Sequence, residues 1–158
     1  HSQEFYNVDK SYKGIYVNKI GINDIMDFQL FNENPVTLQR YINKMYEVRY
    51  TVVGKEHFAC KIESQKSHIA KVDWRRYDIP NTPHFKINPP LEIQEKVNIL
   101  LENLGLRYGA LDFVVDQRGE WFFLEVNSLG QWLWIEDLTG MKISDTIAKE
   151  LESIAKGE

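Results

Sequence analysis

Residues 108–131, YGALDFVVDQRGEWFFLEVNSLGQ, decide the fold of this chain. Two apolar runs flank the tetrapeptide DQRG at 116–119, which is rich in turn-forming residues, so the stretch predicts a β-hairpin. Glu125 and Asn127 are two residues apart, and a strand places both side chains on one face. If the turn pairs Asp112 with Phe123, Asp112 shares that face and lies diagonal to Glu125, roughly 7–8 Å away.

These three side chains are candidate ligands of a metal ion. Two carboxylates and an amide oxygen suit a hard cation, and Mg²⁺ commonly lies between one or two carboxylates and the phosphates of a nucleotide. The alternative is a hairpin whose solvated face happens to be acidic. The spacing alone does not choose between these two interpretations.

The segments GALDFVVD and GEWFFLEVN resemble the final strands of the ATP-grasp fold. In that family an Asp, a Glu and an Asn at this spacing hold magnesium on ATP, so the resemblance assigns Mg²⁺ to Asp112, Glu125 and Asn127. The continuation LEVNSLGQWLWIEDLTGMKISDTIA is similar to the microviridin-type, or graspetide, ligases that macrocyclise ribosomally made precursors. These are relatives of the ligase that adds glutamate to a ribosomal protein. The resemblance implies an α+β fold, with part of the small lobe and the hinge at 1–44 and the large lobe with the Mg–ATP site at 45–158.

Composition limits the classes of function. The 158 residues, 43% of them hydrophobic, are enough for a core in one domain. A net charge of −4 gives no reason to expect nucleic-acid binding, and no apolar run approaches the roughly 18–20 residues that span a bilayer. The single cysteine, Cys60, alternates with Phe58 and Ile62 and is expected in the core. With no signal peptide expected either, we predict a cytoplasmic protein.

The resemblance also implies nucleotide contacts in the first third of the chain. Lys19 corresponds to a small-lobe lysine that touches the phosphates of ATP. The segment LQRYINKMYEVR resembles the crossing between the lobes. On that basis Gln39, Tyr41 and Ile42 are assigned to the adenine and Glu47 to the ribose. A surface lysine and an edge strand are the alternative interpretations.

Three further cations are candidates for the chemistry. Arg49 and Lys61 lie on strands predicted to face each other, and we expect both in one cleft, where phosphoryl transfer needs positive charge. The alternative is a surface ladder of charges with little energetic effect. The segment DWRR at 73–76 resembles a DWR segment of the macrocyclising enzymes, and Arg75 is assigned to a substrate carboxylate.

Periodicity predicts the other elements of the chain. We expect helices at 92–104 and 143–155, with apolar stripes that end at Leu104 and Ile154. A strand is expected at 14–20, a second near 35–43, and a surface connection, not a domain boundary, at 81–90. The apolar block 132–135 is expected to be mostly core.

The resemblance implies an enzyme that uses ATP and Mg²⁺ to join a carboxylate to a hydroxyl or an amine through an acyl phosphate. The expected partner is a precursor peptide that receives ester or amide crosslinks, or a protein carboxylate; a homodimer stays open. One alternative is a ligase that adds a free amino acid, and another is a binding module for nucleotide or peptide without turnover. The pre-grasp domain and the first phosphate lysine of the family have no counterpart in this sequence, so we expect little activity from this chain alone.

Overall fold

The computed structural model of the protein describes residues 4–6, 12–14, 16–23 and 37–157. Much of the predicted small-lobe segment 1–44 therefore lies outside the described residues, including part of the strand predicted at 14–20. The described residues 16–20 and 37–43 form no strand, so the predictions of strands there are wrong for these positions. Among the described residues, no helix has the length and apolar character needed to cross a membrane.

Antiparallel strands, short 3₁₀ turns and three α-helices whose full bounds are described make up most of the fold of the described residues. A small sheet pairs β1 (Glu4–Tyr6) with β2 (Tyr12–Gly14). The central sheet has five strands in the order β5-β4-β3-β6-β7. Its strands are β3 (Lys44–Val53), β4 (Glu56–Ile62), β5 (His84–Ile87), β6 (Tyr108–Asp116) and β7 (Trp121–Asn127). The helices are α1 (Leu91–Asn103), α2 (Leu133–Thr139) and α3 (Ile143–Lys156). This is an α+β architecture.

The central strands β3 and β6 are buried on both faces of the sheet, and the two faces have different roles. On one face, alternate residues of β3 and β6 such as Val48 and Leu111 pack with Val97 and Leu101 of α1. On the other, Cys60 and Ile62 pack with α2 and with the residues that begin α3. Burying each such aliphatic side chain stabilises the fold by about 1.5–3 kcal/mol. We call the second face the site face, because it carries the candidate ligands.

The predicted helices are confirmed with small differences. Helix α1 begins and ends one residue before its prediction, and Gly105 follows it with φ +65°, a conformation that glycine adopts without steric cost. Leu104 is 51% exposed and so lies outside the apolar stripe. Helix α3 matches its prediction within a residue, but Leu151 and Ile154 are exposed, which corrects the stripe at its C-terminal half.

Two elements were not predicted. Strand β5 lies in the segment expected to be a surface connection, and α2 begins inside the apolar block 132–135. Strand β5 is at the sheet edge and exposes Phe85 and Lys86, so it carries no alternation of apolar and polar residues. Ile135 of α2 is fully buried, which confirms the core prediction for that residue.

Candidate functional site

The β6–β7 hairpin brings the three candidate metal ligands to the site face. Asp112 pairs directly with Glu125, and Ala110 pairs with Asn127. Direct partners in an antiparallel pair point to the same side, so Asp112, Glu125 and Asn127 share one face, as predicted. The predicted register is wrong, because Asp112 lies opposite Glu125 and not diagonal to it. The register shifts just beyond this pair, where Leu124 of β7 is an extra residue between the pairs.

One row of direct partners crosses four strands at this site. It runs from Cys60 on β4 to Arg49 on β3, Asp112 on β6 and Glu125 on β7. Neighbouring strands are about 4.7–4.9 Å apart, so the row places an arginine beside two successive carboxylates. The prediction that Cys60 is a core residue is confirmed, since its side chain is fully buried and burial raises the pKa of the thiol to about 12.

Arg49 and Asp112 form a buried ion pair. The Nη1 of Arg49 donates to Oδ1 and Oδ2 of Asp112 at 3.1 and 2.9 Å, and the two residues are 7% and 8% exposed. Burial raises the pKa of the Asp112 carboxyl above its ordinary value, and the charge of Glu125 adds to that effect, while Arg49 opposes it. Within the described residues, the Nε of Arg49 is buried and has no hydrogen-bond partner.

Glu125 and Asn127 line an open pocket of about 200 Å³ together with the residues up to Leu129. Glu125 is exposed, and the Oδ1 of Asn127 accepts a hydrogen bond from the Leu129 amide at 3.0 Å, which leaves that oxygen a second lone pair. No group of three His, Cys, Asp or Glu in the described part of the chain is arranged to hold a metal alone. The available oxygens nevertheless fit Mg²⁺, which takes one or two carboxylates and completes its shell with phosphate and water.

The loop after β7 folds back over Arg49. The role of Gly130, the residue that allows this, was not predicted from the sequence. A Cβ on Gly130 would lie 2.4 Å from the Cβ of Ala110 and 2.8 Å from Nη2 of Arg49. The Tyr108 hydroxyl donates to the Gly130 carbonyl and holds the loop down. The carbonyl of Gln131 lies 3.5 Å from Nη2 of Arg49. Gly130 is therefore required for this close approach, and an isolated glycine in a loop gives no sequence signal of that role.

Arg75 lies on a short 3₁₀ turn, Trp74–Arg76, that Asp73 caps. Its Nε and Nη2 donate to the two carboxylate oxygens of Asp73, each at 2.9 Å. These hydrogen bonds raise the pKa of Arg75, and the charges of Glu125 and Asp112 raise it further. Arg75 is therefore within electrostatic reach of both candidate carboxylate ligands, although it is distant from them in sequence.

Lys61 does not lie in the cleft with Arg49, which corrects the prediction. Arg49 pairs with Cys60 and Lys61 pairs with Val48, so Arg49 and Lys61 point to opposite faces of the sheet. The Nζ of Lys61 lies 4.7 Å from the centre of the Tyr46 ring and 2.9 Å from Oε1 of Glu63. The physical reason is the two-residue turn between β3 and β4, which fixes the register one residue away from the pairing the prediction assumed.

Among the residues assigned to the nucleotide, the described contacts join only two. Lys19 and Tyr41 contact each other, with the lysine Nζ 4.5 Å from the centre of the ring. Gln39 is exposed and Ile42 is half-buried, and no described contact joins them to this pair. Glu47 is buried instead, with its carboxylate 3.0 Å from Nζ of Lys44.

Lys44 is a second residue of the site region whose burial the sequence pattern did not predict. It is 5% exposed, and its Nζ donates to the carbonyl of Val72 at 2.8 Å as well as pairing with Glu47. Burial raises the pKa of Glu47, and Lys44 opposes the rise. A lysine at the start of an apolar strand is normally exposed, so no local sequence pattern predicts this buried ion pair.

Solved structures match most of the chain. A Chryseobacterium gregarium RiPP-associated ATP-grasp ligase, solved in complex with ADP and a leader and core peptide, is 30% identical with a TM-score of 0.83. The match covers 92% of this chain and 44% of that one. The macrocyclase MdnC from Microcystis aeruginosa MRC, bound with the precursor peptide MdnA, is 24% identical with a TM-score of 0.76, covering 100% of this chain and 45% of that one.

The ATP-grasp ligase PsnB, complexed with minimal precursor, Mg and ADP, is 19% identical with a TM-score of 0.68; the match covers 92% of this chain and 44% of PsnB. At the identities of MdnC and PsnB, the likeness shows the fold alone. No protein-family model matches the chain, and no curated protein does. The chain spans less than half the length of the three structures described. The predicted resemblance is confirmed: over most of its length, this chain matches part of the fold of the RiPP-associated ATP-grasp ligases and macrocyclases.

Proposed function

We propose that this chain carries the Mg–nucleotide site of an ATP-dependent ligase that activates carboxylates of a precursor peptide. The observation that carries the proposal is the placement of Asp112, Glu125 and Asn127 on one face, where Asp112 pairs with Arg49. The match to a ligase solved with ADP and a peptide supports the same assignment. A solvated acidic hairpin does not account for a carboxylate that is 8% exposed and paired with a buried arginine.

The proposed reaction has two steps. A substrate carboxylate oxygen bonds to the γ-phosphorus of ATP while the bond to the β-bridging oxygen breaks, which gives an acyl phosphate and ADP. A hydroxyl or amine then attacks the acyl carbon, loses its proton, and displaces phosphate to leave an ester or an amide. No covalent bond to the protein is needed, which agrees with the buried, inert state of Cys60.

The residues of this chain act on that reaction by holding charge in place. Arg49 keeps the Asp112 carboxylate on the site face. Asp73 occupies the Nε–Nη2 edge of the Arg75 guanidinium and fixes its orientation, and the N–H groups of Nη1, which no described hydrogen bond uses, suit a carboxylate or a phosphate. Lys19 and Tyr41 would meet the nucleotide at the other side of the cleft. Bound Mg²⁺ would neutralise charge on the transferring phosphoryl group.

A peptide substrate is favoured over a free amino acid by the surface beside Arg75. The rings of Trp74 and Trp134 have centroids 5.0 Å apart, and Tyr77 stands against Trp74 and is 66% exposed. Such a surface suits an extended chain better than a closed pocket for one amino acid. A peptide also brings carboxylate and nucleophile together on one molecule, which makes the second step effectively intramolecular.

Glu125→Gln is the sharpest test of the metal site. Glu125 is exposed, so the change should alter the free energy of unfolding by no more than an ordinary surface substitution does, about ±0.5 kcal/mol. We expect ADP to bind the unaltered chain more tightly with Mg²⁺ than without, and Glu125→Gln to remove most of that difference. Glu102→Gln, an exposed change on α1, is the matched control and should keep it. Calorimetric titration with and without Mg²⁺ measures both, and a Mg²⁺ effect that survives Glu125→Gln would refute the site.

Ligation of a free amino acid, the alternative that the sequence resemblance left open, is the second candidate function. Mass spectrometry of a precursor peptide incubated with this protein, ATP, Mg²⁺ and free glutamate separates the two. We expect each bond to lower the peptide mass by one water with no amino acid consumed. A gain in mass that depends on added glutamate would support the second candidate.

A further inference from the structure

Arg76 contacts three successive residues of the segment that precedes Lys19. Its Nη2 donates to Oδ1 of Asn18 at 2.6 Å and lies 3.4 Å from the carbonyl oxygen of Val17. Its guanidinium carbon lies 5.3 Å from the centre of the Tyr16 ring. A planar guanidinium can make hydrogen bonds in its plane while its face contacts an aromatic ring, and a lysine cannot reproduce this combination.

Asp73 holds the same segment from the other side. Its Oδ2 accepts a hydrogen bond from the Val17 amide at 3.0 Å while it also accepts from Arg75. Burial alone would raise the pKa of Asp73, but the hydrogen bonds from Arg75 and Val17 hold it below its ordinary value, so the carboxylate is charged at neutral pH. Residues 16–18 are therefore attached to the turn Trp74–Arg76 through both their backbone and their side chains.

Lys19 follows this attached segment directly. Its Nζ lies over the Tyr41 ring, a contact to a half-exposed aromatic that is worth about 0.5–1 kcal/mol and does not by itself fix a long, flexible side chain. The backbone at 16–18 is what limits where Lys19 can reach. That backbone is held by the same short turn that carries Arg75.

We propose that Arg76 is a positioning residue that holds Tyr16–Asn18 on the 73–76 turn and so places the Lys19 ammonium for the phosphates of the bound nucleotide. The inference rests on the proposed function. It adds a structural link between Arg75 and Lys19 through the 73–76 turn. The group that orients the substrate carboxylate and the group that meets the nucleotide are set by one turn of the chain.

A double-mutant cycle between Arg76 and Lys19 tests the proposal. Arg76→Ala should weaken Mg²⁺-dependent ADP binding about tenfold, which corresponds to about 1.4 kcal/mol, and should leave adenosine binding within about twofold. In a Lys19→Ala background, Arg76→Ala should weaken ADP binding by less than about twofold, because the group it positions is gone. Additive losses in the cycle would overturn the proposal, as would an equal loss for adenosine.

Asn18→Ala provides a second variant that removes one of the three Arg76 contacts from the exposed side, where a failure to fold is not expected. It should reproduce part of the selective loss of ADP affinity. Arg107→Ala is the matched control, because it removes another arginine that bonds to a side chain distant in sequence, Glu150 at 2.9 Å, on another part of the surface. It should change neither ADP nor adenosine binding.

Amide hydrogen exchange measures the attachment itself, independently of nucleotide. Exchange in residues 16–19 should accelerate in Arg76→Ala and Asn18→Ala but not in Arg107→Ala. A loss of ADP affinity without faster exchange there would overturn the proposed route. If the unaltered chain binds no ADP with Mg²⁺, the proposed function falls and this inference with it, whereas retained binding with additive losses overturns the inference alone.

Discussion

Gly130→Ala is the substitution for which the structure gives the clearest consequence. The new methyl would lie 2.4 Å from the Cβ of Ala110, about 1.1–1.6 Å short of the ~3.5–4.0 Å at which carbon atoms pack. That Cβ is attached directly to the backbone of β6, in the middle of the sheet, so it cannot move aside. The loop after β7 must shift, and it carries Gln131 away from Arg49.

The expected magnitudes follow from overpacking. Inserting a methyl into a well-packed site costs about 1–3 kcal/mol. For a domain of this length each kcal/mol lowers the melting temperature by about 2–4 °C, so we expect a fall of about 2–12 °C. Displacing the loop also loosens Arg49 and the carboxylate it holds, and we expect Mg²⁺-dependent ADP binding to weaken about tenfold. Thermal unfolding and calorimetric titration measure the two effects.

Two further variants distinguish the effect of the close contact between Gly130 and Ala110 from a general loss of stability. Gly119→Ala introduces a side chain at φ +83°, with no neighbouring atom within 4 Å, so it should cost stability through backbone strain and leave ADP binding unchanged. Ala110→Gly added to Gly130→Ala removes the nearest atom that the new methyl meets, but not Nη2 of Arg49, and should restore part of the ADP affinity. If Gly130→Ala alters neither the melting temperature nor the affinity, the argument from loop packing is refuted.

Three other predictions follow from the site. Asp112→Asn leaves the buried Arg49 without a charged partner and should lower the free energy of unfolding by about 3–5 kcal/mol by denaturant titration, so loss of ADP binding in this variant is not by itself proof of a ligand role. Lys61→Ala should leave Mg²⁺-dependent ADP affinity within about twofold, because Lys61 lies on the opposite face; a tenfold loss in the same titration would contradict that placement. The pKa of Asp73 is depressed in the folded state, so its contribution to stability is present above the unfolded value of about 3.9 and is lost as the pH falls through the folded value. Unfolding followed from pH 7 to pH 3 should therefore show a smaller acid-induced loss of stability in Asp73→Asn than in the unaltered chain, and equal losses would show that Asp73 is not held ionised by folding.

Some elements of the fold were predictable from the sequence and others were not. The two-residue alternation in β7 was enough to place Glu125 and Asn127 on one face, because the pleat of a strand dictates it. The helix at 91–103 was predictable from its apolar spacing and from the glycine that follows it. The edge strand β5 was not, because an edge strand exposed on both sides needs no pattern.

Strand register accounts for most of the site geometry that the sequence pattern did not predict. The extra residue near Leu124 and the two-residue turn after β3 each shift pairing by one position. The first shift brought Asp112 directly opposite Glu125, and the second moved Lys61 to the face away from Arg49. A single-residue shift leaves apolar content unchanged, so composition and periodicity do not detect it.

The sequence by itself determined the chemistry available to this protein: an acidic hairpin with an amide oxygen, arginines on a neighbouring strand and loop, and a residue pattern that resembles the ATP-grasp ligases. Only the tertiary structure decided which of these groups meet. Arg49 and Asp112 are 63 residues apart, and Arg76 and Asn18 are 58 apart. Such pairs depend on strand order and loop packing, which arise from burying both faces of one sheet, whereas local sequence specifies only the preferences of each segment.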